Sequence, residues 1–236
     1  MKTISQSLLR DMLSQDGYCA HYLNLVYNSN YKTELSNAML MGLVFEQAIL
    51  GSTRDGEHVE LPRLKSGEKS ADEKRLDGTI EFAKSVLAAN EIIFTATQLH
   101  IENGLLHGHP DAVGTYHGMN YTFDLKWTGM SFDQWERELK YSSIRDHFAI
   151  QARHYQSLMD DPMPFMFLVF GDNWARFFEV PFDGRAIEHH KEVAAEALDV
   201  FNSMEYTPTS DSRLCFECRL AWVCDKRNQT IQIETL

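Results

Sequence analysis

No stretch of the 236 residues stays apolar long enough to cross a bilayer, which excludes a helical membrane span. The opening residues, MKTISQSLLRDMLSQDG, place polar and acidic side chains where a signal peptide needs an apolar centre. A soluble, cytoplasmic protein with no membrane partner is the expectation. Cysteine is scarce: four residues in a chain too large to depend on disulfides for its core. Positive charge is scarce too. Lys and Arg number 22 against 34 Asp and Glu, a formal net charge of -12. That argues against a protein gripping nucleic acid through a general basic surface, since phosphate contacts come from Lys and Arg. The argument weakens if some of the carboxylates are metal ligands, because bound divalent ions reverse the local field. Basic residues would then be needed only locally, and Arg137, Lys140, Arg145 and Arg153 are candidates. Internal repeats and low-complexity segments are also lacking.

What is present reads as an ordinary globular domain, 44% hydrophobic and 24% charged, with enough apolar material for a sizeable core. Residues 3–14 and 18–28 read as short helices broken at Asp16-Gly17. Residues 36–50 form a strong helix that Ser36 or Asn37 can cap and Gly51 can end. Residues 52–71 are polar and read as a mobile loop, after which 72–89 put Leu76, Ile80, Ala83 and Leu87 on one helical face. Three strands are expected at 92–102, 105–116 and 120–127, with a tight turn at Gly118 between the last two. Helices at 132–141 and 144–159, strands at 164–171 and 174–181, and a helix at 185–204 complete the pattern. This order predicts an α/β or α+β fold around a mixed sheet flanked by helices.

The most informative segment is Gly108-His109-Pro110-Asp111 followed by Asp124-Leu125-Lys126. Strand side chains alternate, so Asp124 and Lys126 share one face and Phe123 and Leu125 the other. A hairpin at Gly118 brings Asp111 beside them. Taken alone, Asp-x-Lys is most often an exposed strand edge with a salt bridge. The upstream Asp111 on an adjacent strand shifts the balance, since two carboxylates on one patch of sheet are costly without a cation. Carboxylates hold Mg²⁺ or Mn²⁺ through oxygen, and such an ion activates water for phosphodiester hydrolysis. A nearby ammonium stabilises the charge that develops. Glu46 lies on a largely apolar helix, where it is either solvent-facing or a further ligand. Gln151 and Tyr155 are four residues apart on one helical face. His107 and His109 read as loop or surface residues, and Trp127 as core.

Four weak signals in this order resemble the RecB-like branch of the PD-(D/E)xK nuclease superfamily. Asp111 and Asp124-Leu125-Lys126 look like its signature, Gly42-Leu43-Val44-Phe45-Glu46 stands where the branch has G-x-x-x-H, and Gln151 to Tyr155 matches Q-x-x-x-Y. The departure is Glu46 in place of histidine, a harder ligand suited to Mg²⁺ or Mn²⁺. The resemblance implies a restriction-endonuclease-like core and a DNA substrate, with attack from a free end. It also implies metal ligation by Glu46, Asp111, Asp124 and the Leu125 carbonyl, and catalysis by Lys126. Gln151 and Tyr155 would support the site or contact the DNA.

The tail holds Cys215, Cys218 and Cys224, a C-x2-C followed by a third thiol, and Cys19 makes a fourth. Ligand chemistry alone leaves a [4Fe–4S] cluster and a tetrahedral zinc site both open. The arrangement is similar to that of CRISPR-associated iron–sulfur exonucleases and AddB-type nuclease domains, which implies a cluster stapling the chain ends. On this reading residues 1–236 are one nuclease domain, with 36–204 as core and 1–35 plus 205–236 binding the cluster. A role in recombination, repair or phage DNA processing follows by analogy (host cytoplasm if phage-encoded), with a homo-oligomer or recombination protein as partner. The competing expectations are a structure-specific endonuclease and a non-catalytic DNA- or protein-binding subunit that keeps fold and cluster.

Overall fold

Phe165–Phe170 reads FMFLVF, and all six of its side chains are buried. Such an unbroken apolar run belongs to a strand covered on both faces. In the computed structural model, which describes residues 2–14, 17–29, 31, 35–54, 56–63, 65–209, 211–216, 218–220 and 224, this strand lies inside a five-stranded mixed sheet. Among the described residues the strands are β1 (Ile4–Ser5), β2 (Ile93–Thr97), β3 (Ile101–Asn103), β4 (Leu106–Gly108), β5 (Ala112–Tyr116), β6 (Met119–Trp127), β7 (Phe165–Phe170) and β8 (Ala175–Val180). The large sheet runs β2-β5-β6-β7-β8, and β1-β4-β3 form a second, smaller sheet. Only β6 and β7 are parallel neighbours in the large sheet. Their crossover contains α5 (Phe132–Tyr141) and α6 (Ile144–Leu158), as a parallel connection requires.

The alternation of β7 divides the core in two. Phe165, Phe167 and Val169 pack with Leu8 and Leu9 of α1 (Gln6–Met12), Ala152 of α6, and Ala194 and Phe201 of α7 (Gly184–Ser203). Met166, Leu168 and Phe170 pack on the other side. Their neighbours are Met41 and Phe45 of α3 (Asn37–Leu50) and Leu76, Ile80, Ala83 and Leu87 of α4 (Ala71–Ala89). The N-terminal segment is part of this architecture, since β1 pairs with β4 and Ile4 and Leu23 are fully buried.

Several expectations hold closely. Ser36 caps α3, its hydroxyl accepting from the Met39 N–H, and Gly51 ends it in the left-handed conformation with φ of 86°. His117 and Gly118 both take positive φ, 46° and 78°, giving the two-residue turn between β5 and β6. Three points need correction. The strands expected at 92–102 and 105–116 are each split in two and pass from one sheet into the other. The break falls at Gln98, whose φ is 53°, and at Pro110, which has no N–H for a ladder. The helix expected at 18–28 is α2 (Ala20–Leu23) running into a π-helical turn at Asn24–Asn28. The segment after Gly51 has no helix or strand among its described residues, yet it is tethered. The Gln47 side chain holds both the Val59 N–H and its carbonyl, and the Thr53 hydroxyl donates to the Glu57 carbonyl. The expected break at Asp16-Gly17 falls partly on Asp16, which lies outside the described residues. So do Glu217, Ala221, Trp222 and Val223 of the tail.

Two buried histidines tie the small sheet to α6 and α7. His154 Nε2 lies 2.9 Å from the His107 carbonyl, and His190 Nε2 lies 3.3 Å from His154 Nδ1. Burial pushes His154 down to about 4, against the pull of the His107 carbonyl. It pushes His190 down to about 3, with His154 adding to the effect. Folding therefore holds both rings neutral while the unfolded chain takes up protons below its ordinary histidine pKa, so stability falls as pH drops from about 6.5 towards these values. Denaturant titrations across that range should show a loss on the order of 3 kcal/mol from His154. The loss should shrink in His154→Gln, whose amide can still meet the His107 carbonyl.

Candidate active site

The bend that splits the two strands also makes the site. Asp111 lies between Pro110 and the first residue of β5, and Asp124 lies in mid-β6; both are fully buried. Asp124 pairs across the sheet with Phe167, on the face that looks towards α6, while Phe123 and Leu125 face α3 and α4. Strand alternation thus carries Asp124 and Lys126 together out of the layer their neighbours fill. Gly108, one turn of chain before Asp111, allows α6 to approach. A Cβ there would lie 2.8 Å from the Tyr155 ring and 2.9 Å from Leu158.

Each carboxylate is held separately. Asp111 Oδ2 accepts from the Leu125 backbone N–H at 2.8 Å, and its Oδ1 accepts from Arg54 Nη2 at 3.0 Å. Asp124 Oδ1 accepts from Gln151 Nε2 at 2.5 Å, and Oδ2 is ion-paired with Lys126 Nζ. Glu46 accepts from Gln98 Nε2 at 2.7 Å, and Arg54 Nε lies 4.0 Å away. The Gln98 N–H also donates to the Asp111 carbonyl at 2.8 Å, so the residue at the strand bend ties Glu46 to Asp111. Burial pushes Glu46 upward and the Asp111 charge adds to it, opposed by Arg54, Gln98 and Lys126. Burial likewise pushes Asp124 upward, with Lys126 opposing and Asp111 reinforcing. Carboxylates in this condition favour a nearby cation, which restores their charged form.

Glu46, Asp111, Asp124, Lys126 and Gln151 thus converge. Tyr155 lies on the same face of α6 as Gln151, and both are buried. Gln151 directs its amide to Asp124. Leu125 contributes its backbone N–H to Asp111. Arg153 is engaged elsewhere, with Gln156 and the Pro181 carbonyl, while Arg137, Lys140 and Arg145 are exposed on α5 and early α6. His109 lies 3.0 Å from His100. Sequence reasoning missed Arg54 and Gln98. An arginine in a polar loop has no periodicity to mark it, and a glutamine within an apolar run reads as strand.

The donor set suits a hard divalent ion: three carboxylates, two of them buried, with no sulfur or imidazole among them. Among the described residues, though, no three His, Cys, Asp or Glu stand as a ready-made metal cage. The Arg54 guanidinium lies 3.0 Å from Asp111 and 4.0 Å from Glu46. The four cysteines form no disulfide. Burial pushes the Cys218 thiol up, opposed by a hydrogen bond from the Leu220 backbone, with Cys19, Cys215 and Cys224 adding to the rise. Cys19 and Cys218 line a cavity of about 1100 Å³ between the N- and C-terminal segments.

The fold is shared with solved exonuclease structures. A protein from Eubacterium rectale assigned as an exonuclease superposes with a TM-score of 0.62 at 13% identity, covering 100% of this chain and 90% of that one. An alkaline exonuclease from Laribacter hongkongensis, also solved with dAMP, gives 0.53 at 10% identity, covering 86% and 89%. No protein-family model matches the sequence, and no curated protein matches it at sequence level. Among the described residues no helix is long and apolar enough to cross a membrane.

If buried charge at Asp124 is tolerated for a cation's sake, relieving it should not weaken the metal-free protein. Asp124→Asn keeps an acceptor for Gln151 and should melt at or above the wild-type temperature in EDTA. Mn²⁺ should raise the melting temperature of the wild type but not of the variant.

Proposed function

We propose that this protein is a divalent-metal-dependent deoxyribonuclease that attacks DNA from a free end. The carrying observation is the pair of fully buried carboxylates, Asp124 held by Lys126 and Gln151 and Asp111 held by the Leu125 N–H and Arg54, beside the strand bend at Pro110. The shared fold supports the reading, since the superposing proteins are described as exonucleases, one of them solved with a deoxynucleotide.

Asp111 and Asp124 would hold Mg²⁺ or Mn²⁺, with Glu46 and the Leu125 carbonyl completing the protein's share. When bound, the ion polarises a phosphoryl oxygen and lowers the pKa of a water. Lys126 is about one-third exposed, at 33%, so its ammonium can meet a substrate without leaving Asp124. It would orient the attacking water and stabilise charge on the phosphate. Gln151 fixes the Asp124 carboxylate through its short hydrogen bond. Tyr155, packed over Gly108, keeps α6 at the distance that bond requires. Exposed Arg137, Lys140 and Arg145 would take DNA phosphates, offsetting the overall acidic charge.

The second element of the proposal is a [4Fe–4S] cluster held by Cys19, Cys215, Cys218 and Cys224, with zinc as the alternative occupant. Cys19 and Cys218, from opposite ends of the chain, line one cavity, which supports it, because joining residues so distant in sequence couples the terminal segments to metal binding. Protein purified without oxygen should then contain about four iron and four sulfide per chain. Cys224→Ala should lower iron content and melting temperature together. Stoichiometric zinc without iron would decide for the alternative.

End-labelled linear DNA and closed circular DNA, incubated with Mg²⁺ or Mn²⁺, test the activity. Degradation of linear DNA alone is the expected result, with Lys126→Ala reducing the rate at least ~100-fold. Cleavage of circles would make the protein an endonuclease. Metal-dependent DNA binding without cleavage would make it a binding subunit.

A further inference from the structure

Arg54 is the residue of the site with no assigned task. It lies in the turn after α3, held from both sides by neighbours that do not use its side chain. The Gly56 N–H donates to the Thr53 carbonyl at 3.0 Å, and the buried Thr53 hydroxyl donates to the Glu57 carbonyl at 2.6 Å. Farther along, Gln47 clamps the Val59 backbone to α3. The backbone at Arg54 is therefore built in place. The side chain reaches the Asp111 Oδ1 atom at 3.0 Å and comes within 4.0 Å of Glu46, yet remains 40% exposed. The guanidinium thus covers two of the three carboxylates proposed as ligands, Glu46 and Asp111.

We propose that Arg54 is the resident counter-ion of these carboxylates, that a divalent ion displaces it, and that it then grips a DNA phosphate. The inference rests on the nuclease reading and deepens it. Without a cation, buried Asp111 beside Glu46 would be an uncompensated pair, which proteins avoid by pairing or metal binding. Arg54 meets that need from a half-exposed position. A divalent ion carries twice its charge and needs the same oxygens, so the two compete. Displacement needs only side-chain rotation, because the turn is tethered through Thr53 and Gln47. The released guanidinium is planar and always charged, with a fork of donors that matches phosphate oxygens in pairs. It would then face the solvent side of the site, where the DNA backbone must enter. Asp124 keeps its own cation, Lys126, in both states, so the site has one exchangeable and one fixed positive charge.

The test measures binding, not turnover. Mn²⁺ is titrated by electron paramagnetic resonance or calorimetry into the full-length wild type, Arg54→Gln and Asp111→Asn. Competition predicts that Arg54→Gln binds Mn²⁺ at least ~5-fold more tightly than the wild type. With Ca²⁺ in place of Mn²⁺, binding of a labelled DNA duplex should weaken in Arg54→Gln, with a salt dependence lower by about one charge. Equal or weaker Mn²⁺ binding in Arg54→Gln, while the wild type binds and Asp111→Asn does not, would overturn the role of Arg54 and leave the nuclease reading intact. Absence of Mn²⁺ binding in every variant would remove the metal site, and this inference with it. Unchanged DNA binding in Arg54→Gln would overturn the phosphate step.

Discussion

The structure turns on two carboxylates placed where water does not reach. Asp111 and Asp124 are fully buried between a sheet and α6, and an unpaired charge in such a position costs several kcal/mol, on the order of what folding yields in total. Every neighbouring element answers that demand. The β6 backbone supplies the Leu125 N–H, α6 supplies Gln151, β6 itself supplies Lys126, and the turn after α3 supplies Arg54. The site is therefore where the layers are tied together. Its chemistry and its stability are two aspects of one charge balance.

The bend at Gln98 and Pro110 is the geometric counterpart of that balance. By switching sheets, the two strands turn Asp111 inward against β6 and leave Gln98 bridging Glu46 and the Asp111 backbone. The positive φ of Gln98 is a local strain accepted at this corner, as is common where a backbone must aim a functional side chain. Gly108 has a related part, since only a residue without a Cβ lets Tyr155 pack over it.

The molecule handles its buried histidines differently from its buried carboxylates. His154 and His190 are kept neutral by burial and satisfied by one another and by the His107 carbonyl, so they need no counter-ion. They weld α6 and α7 to the small sheet, while Gln151 on the same helix reaches the Asp124 carboxylate. One helix thus carries a contact between neutral rings and a contact to a buried carboxylate, separated by less than a turn between Gln151 and His154.

The amino-acid sequence by itself determined the helices expected at 36–50, 72–89 and 132–141, found at Asn37–Leu50, Ala71–Ala89 and Phe132–Tyr141, and the turn expected at Gly118. It also placed Asp124 and Lys126 on one strand face and Gln151 and Tyr155 on one helix face. These follow from caps, periodicity and alternation, which act over a few residues and leave a mark in local spacing. The tertiary structure alone decided that two expected strands become four, because a break at one glutamine and one proline looks local but sends each half to a different sheet. It alone brought Arg54 and Gln98 to the carboxylates. Contacts between residues 57 apart, as for Arg54 and Asp111, arise from the packing of whole layers. No short-range pattern encodes them.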